Sequence, residues 1–168
     1  SKTGEPYEVK ADTSFVPEFK NLALRLKEKE AGIVKTMFGY HVMMRVAPPP
    51  PDPLESHDIL RREPEQSAVH MQHIAVGWKD SVANKDPRAQ KRTKAEADKL
   101  AKEILDKVRA KGDMKKLMKE FSEDPNSKDT GNVYDVPPES PDNPVKSLAM
   151  RLKIDEAGLV KTPFGWHV

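Results

Sequence analysis

Residues 19–42 and 145–168 are two copies of one segment. FKNLALRLKEKEAGIVKTMFGYHV aligns without gaps on VKSLAMRLKIDEAGLVKTPFGWHV at a constant offset of 126, with 16 identities in 24 positions. Nothing else constrains the fold as strongly, because each copy of a repeated unit must bury the same apolar face. The match runs upstream with one adjustment of length. Ser1-Lys2 and Thr3-Gly4 correspond to Ser127-Lys128 and Thr130-Gly131, and Tyr7-Glu8-Val9 to Tyr134-Asp135-Val136. Residues 69–126 have no counterpart ahead of the first copy, so residues 1–46 read as the back half of a module and residues 69–168 as a whole one. Between them, Ala47-Pro48-Pro49-Pro50-Pro51-Asp52-Pro53 fixes the backbone in an extended, helix-forbidding conformation, and residues 47–68 are expected to be a linker.

Several classes of chemistry drop out. The chain has no cysteine, which removes disulfides, thiolate nucleophiles and Cys-ligated zinc. Lys and Arg total 29 against 27 Asp and Glu, a net charge of +2, which argues against a dedicated nucleic-acid binder. No stretch approaches the roughly 18 uncharged apolar residues of an integral membrane segment.

In the second copy, Val69–Val76 reads as a strand. Thr93-Lys94-Ala95-Glu96 is a capping box, after which Ala97, Leu100, Ala101, Ile104, Leu105 and Val108 recur at helical spacing up to Gly112. Asp113 caps a second helix with Met114, Leu117, Met118 and Phe121 on its apolar face. A turn follows at Asp124-Pro125-Asn126. Residues 132–136 read as a strand, 144–152 as a short helix opening on proline, and 159–161 and 164–168 as strands, with Gly165 shaping the hairpin as Gly39 does in the first copy. The order is β-α-α-turn-β-α-β-β, an α+β class.

Three strings carry a family resemblance: His-Ile-Ala-Val at 73–76, Phe-Ser-Glu-Asp-Pro at 121–125 and Lys-Thr-Pro-Phe-Gly-Trp-His at 161–167. In this order and spacing, residues 69–168 resemble the parvulin-type peptidyl-prolyl cis-trans isomerases. The first copy resembles the family's second half through Phe15-Val16-Pro17-Glu18-Phe19 and Lys35-Thr36-Met37-Phe38-Gly39-Tyr40-His41. The resemblance implies a four-stranded antiparallel sheet with surrounding helices, and a folding-assistance activity on unfolded or proline-containing polypeptide. It also implies a bacterial periplasmic or other extracytoplasmic setting, by analogy with tandem folding factors of this type.

The same resemblance assigns a polar centre of His73, Asp124, Thr162 and His167, with Pro141, Val145, Met150 and Phe164 toward the substrate. The first-copy equivalents are Phe15, Phe19, Thr36 and His41. Twisting a prolyl amide breaks no covalent bond, so neither cofactor nor metal is required. A histidine pair shares a proton through its ring nitrogens, and Thr162 can fix the tautomer. Two histidines on adjacent strands also serve as a plain structural hydrogen bond, and Asp124 before a proline as a plain turn residue.

Departures bear on activity. Pro141 and Val145 stand where active members place Met and Phe, which implies a shallow pocket and an impaired second module. The usual Gly-Asp-Leu-Gly is here Gly131-Asn132-Val133-Tyr134. By resemblance the loop 77–93, with Lys79, Lys85, Arg88, Lys91 and Arg92, lies where phosphate-selective members carry a basic loop. The alternative function is a non-catalytic chaperone or peptide-interaction module on the same fold. The likeness of the two copies also lets residues 1–46 compete for the 69–126 scaffold between molecules, giving a swapped homodimer.

Overall fold

The computed structural model describes residues 6–48, 50–81 and 86–168, so Ser1–Gly4 of the repeat, Pro49 and Lys85 lie outside the described residues. The chain divides into two compact units, Ser1–Pro50 and Pro51–Val168.

Among its described residues, the first unit has one helix and one hairpin. Helix α1 (Pro17–Arg25) opens on a proline whose missing N–H is not needed there, with Glu18 in its first turn and Arg25 in its last, both matched to the helix dipole. Strands β1 (Ala31–Thr36) and β2 (Gly39–Met44) pair antiparallel from Thr36↔Gly39 to Ala31↔Met44. Gly39, at φ +116°, makes the tight turn that a side chain would strain. On one face of the hairpin, Ile33, Tyr40 and Val42 are 64%, 72% and 78% exposed.

In the second unit, α2 (His57–Leu60) precedes β3 (Val69–Met71), β4 (Ala75–Val76), α3 (Pro87–Gln90), α4 (Lys94–Arg109), α5 (Met114–Phe121), β5 (Tyr134–Val136), α6 (Pro144–Ala149), β6 (Val160–Thr162) and β7 (Gly165–His167). Helix α4 starts where its capping box places it: the Glu96 N–H donates to Thr93 Oγ1 and the Thr93 N–H to Glu96 Oε2. Asp113 caps α5 by accepting from the Lys116 N–H.

The sheet departs from one continuous four-stranded ladder. Strand β3 pairs with β5, while β4, β7 and β6 form a three-stranded antiparallel sheet. The expected strand 69–76 breaks because it changes partners: Met71 is the last residue opposite β5, and from Ile74, whose N–H and C=O both bond Val168, the chain runs beside β7.

Alternation puts Trp166 and His167 on opposite faces of β7. The Trp166 face is covered by α4 and α5, where Ile74, Val76, Leu159, Trp166 and Val168 pack with Ala97, Ala101, Ile104, Leu117 and Met118. Trp166 is wholly buried and its indole N–H donates to Asp98 Oδ1 at 2.7 Å. Helix α6 covers the other face through Leu148 on Val160 and Ala149 on Val136.

The linker is shorter than 47–68. Residues 52–66 pack on the second unit: Ile59 is buried with Leu148 and Val160, Ser56 exchanges two hydrogen bonds with Leu159, and Glu65 N–H donates to the Met150 carbonyl. Arg62 forks onto both oxygens of Glu156, and that guanidinium holds the Glu156 carboxyl down at about 2. These contacts join residues roughly 90–100 positions apart in sequence, which local composition does not encode.

Candidate active site

His73 leads into β4 and His167 ends β7, and Ala75↔His167 pairing sets both imidazoles on the face away from α4. Their Nδ1 atoms are 3.1 Å apart, with ring centroids 5.2 Å apart and 16° between the ring planes. At one end, Thr162 Oγ1 lies 2.9 Å from His167 Nε2. At the other, His73 Nε2 lies 3.1 Å from Asp124 Oδ2. The structure thus brings His73, Asp124, Thr162 and His167 into one hydrogen-bonded chain.

Proton positions follow from the ends of that chain. Thr162 Oγ1 accepts from the Phe164 N–H at 3.1 Å, leaving its own proton for His167 Nε2, the nearer of its two acceptors. With His167 Nε2 accepting, its Nδ1–H donates to His73 Nδ1, and His73 Nε2–H donates to the Asp124 carboxylate. Every ring nitrogen then has a hydrogen-bond partner.

Burial pushes the His167 imidazole down to about 4; His73 adds to the shift and Asp124 opposes it. Burial alone would raise Asp124, but donors from Ser127, the Asn126 N–H, His73 and Tyr134 outweigh it and hold the carboxyl at about 2. Ser127 Oγ and Tyr134 OH reach Asp124 Oδ2 at 2.5 and 2.9 Å, and the Asn126 N–H reaches Oδ1 at 3.1 Å. Asp124 is therefore a saturated anchor that orients His73. The 122–124 segment is itself stitched to β4: Ala75 N–H donates to Ser122 Oγ, Glu123 N–H to the Ala75 carbonyl, and Gly77 N–H to Glu123 Oε2.

The low value at His167 predicts a pH-dependent stability. As pH falls through the ordinary histidine value of about 6.5, the unfolded chain takes up a proton that the folded chain refuses. Stability present above 6.5 is lost progressively down to about 4, on the order of 3 kcal/mol in all. The contribution of Asp124 is lost only below 3.8, outside this window. Urea unfolding at pH 7 and pH 4.5 is expected to show the loss, with a smaller slope in His167→Phe; equal slopes would contradict a buried neutral ring.

The residues assigned toward the substrate do not share one environment. Phe164, at the hairpin tip, and Pro141, ahead of α6, are exposed. Val145 packs on Ile59, Leu148 and Val160. Met150 is only 3% exposed, packed with Val136, Ala149, Val69 and Met71, and is corrected to a core residue: a side chain with no open surface has nothing to offer a ligand. In the first unit, Thr36 Oγ1 lies 2.8 Å from His41 Nε2, with Phe19 edge-on to His41 at 5.4 Å and Phe15 beside Phe19 at 5.1 Å. The Thr–His contact of the second unit thus recurs at the same offset.

Two of the loop cations, Arg88 and Arg92, are spent on structure. Arg92 bonds Glu123 and the Gly77 carbonyl, and Arg88 bonds Asp86 and the carbonyls of Glu120 and Ser122. Neither arginine is poised for an added phosphate. His57 and His70, unassigned from sequence, contact the Asp52 carbonyl and Asp135 respectively. Ser127 and Tyr134 are the members of the site that sequence reasoning missed; the only signals were their spacing after Asp124 and the tyrosine standing in a glycine's place.

The family model described as PPIC-type PPIase domain matches residues 58–168, well over half of the chain. Among solved structures, the chain is similar to the peptidyl-prolyl isomerase ESS1 from Candida albicans, at 15% identity and a TM-score of 0.53, covering 84% of this chain and 93% of that one. That likeness is one of fold. No curated protein matches.

Proposed function

The chain belongs to the PPIC-type peptidyl-prolyl isomerase family, and from that premise we propose that His73, His167, Thr162 and Asp124 form its catalytic centre, acting on proline residues in extended polypeptide. The reaction rotates an amide across a barrier of about 18–20 kcal/mol that C–N double-bond character creates. A catalyst lowers it by binding the twisted amide better than either planar form, and every 1.4 kcal/mol of that preference is worth about tenfold in rate.

The observation that carries this reading is the unbroken chain Thr162–His167–His73–Asp124, held neutral at its buried ring and anionic at its end. Such a chain fixes each imidazole in one tautomer and one plane, so the donors and acceptors near the amide need no reorganisation during the twist. No covalent intermediate or proton transfer to substrate is needed. Phe164, exposed beside Thr162, offers an apolar surface at the edge of the site.

Cis-to-trans relaxation of proline-containing tetrapeptides, varied in the residue before proline, tests the assignment of function. Acceleration proportional to protein concentration is the expected result. Tight binding of unfolded chains with no effect on the relaxation rate would favour the non-catalytic interaction module instead.

A further inference from the structure

We propose that Tyr134 is a positioning residue for the reaction, holding Asp124 and His73 in mutual register; this rests on the isomerase reading above. Tyr134 is the first residue of β5 and pairs with Met71, the last residue of the strand that leads to His73. Its hydroxyl donates to Asp124 Oδ2 at 2.9 Å, the same oxygen that His73 Nε2 reaches at 3.1 Å. Its ring meets the His73 ring edge-on, at 5.4 Å and 83°. One side chain therefore touches both partners of the His73–Asp124 contact, by hydrogen bond on one and by packing on the other.

The consequence is directional. A carboxylate rotates about its last bond, and a histidine ring flips about its own; each motion would break the 3.1 Å contact. Ser127 and the Asn126 N–H fix where the carboxylate sits, and Tyr134 couples it to the imidazole plane. The sequence places this tyrosine at the last position of a Gly-Asp-Leu-Gly-like turn, where a glycine could make neither contact. Burial, with Asp124 adding to it, raises the Tyr134 phenol above its ordinary value, so it stays a donor across the working pH range.

Tyr134→Phe keeps the ring and deletes the hydroxyl. The groups facing Asp124 are then His73, with His167 behind it, together with the Ser127 hydroxyl and the Asn126 N–H. Losing a donor to the charged form raises a carboxyl's titration midpoint. The variant is expected to shift the Asp124 carboxyl resonance midpoint, followed by carbon NMR, to higher pH. Its kcat should fall about three- to tenfold with KM little changed.

A purely structural tyrosine would lower thermal stability and leave the carboxyl midpoint and kcat where they were, and that result overturns the proposal. Failure of the underlying reading looks different: wild-type protein without turnover removes the catalytic role, even where the NMR midpoint still moves. Turnover in the wild type with an unmoved midpoint and unchanged kcat in Tyr134→Phe removes Tyr134 alone.

Discussion

Trp166→Ala is expected to lower the stability of the second unit by about 3–5 kcal/mol, a large share of the roughly 5–15 kcal/mol that holds a domain of this kind folded. Trp166 is wholly enclosed by the α4 and α5 side of the core, and its truncation leaves a cavity that the small side chains Ala97 and Ala101 cannot fill. It also strips the indole N–H from Asp98. The repeat supplies an internal control. Tyr40 occupies the same place in the first copy, yet it is 72% exposed, so Tyr40→Ala should change stability by no more than about 0.5 kcal/mol. Denaturant titrations of both variants decide the matter, and similar small effects at the two positions would show that Trp166 is not the keystone of the second core.

The largest effect on turnover is expected from the histidine pair. His73→Phe keeps a ring of similar size but removes both nitrogens, so the Nδ1–H of His167 loses its acceptor and Asp124 loses one of its donors. A hydrogen bond to a charged group is worth about 1.5–3 kcal/mol, which translates into a loss of about 10- to 100-fold in kcat/KM. His167→Phe removes the Thr162 contact as well and is expected to lie at the upper end of that range. Binding of an extended peptide should fall far less than turnover, because only the arrangement around the twisted amide is damaged.

Local signals account for the parts of the fold that sequence made legible. The Thr93–Glu96 capping box and the Asp113 cap lie within four residues of the helix starts they mark, and Gly165 sits in the turn it makes. The repeat added what local rules could not, since the Thr–His contact across one hairpin is reproduced across the other. Family strings mark the histidine strand, the Asp124 turn and the Thr162–His167 hairpin, and the structure sets all four side chains in one chain of contacts.

What escaped notice depends on distant partners. The strand at 69–76 reads as continuous because its residues are uniformly suited to a sheet; its break comes from β5 and β7 competing for successive stretches of it. Residues 52–66 read as linker because the partners of Ser56, Ile59 and Arg62, namely Leu159, Leu148 and Glu156, arrive far later in the chain. An apolar residue such as Met150 has the same signature whether it lines a pocket or fills a core, and only its 3% exposure separates the two. Tyr134 and Ser127 joined Asp124 for a similar reason: converging donors are a property of space, not of spacing.

The double-variant cycle on kcat/KM tests the central claim most directly. If His73 and His167 act as one hydrogen-bonded unit, the His73→Phe, His167→Phe protein, folded by circular dichroism, should be no slower than the worse single variant. Losses that simply multiply, or single variants that isomerise as fast as wild type, would contradict it.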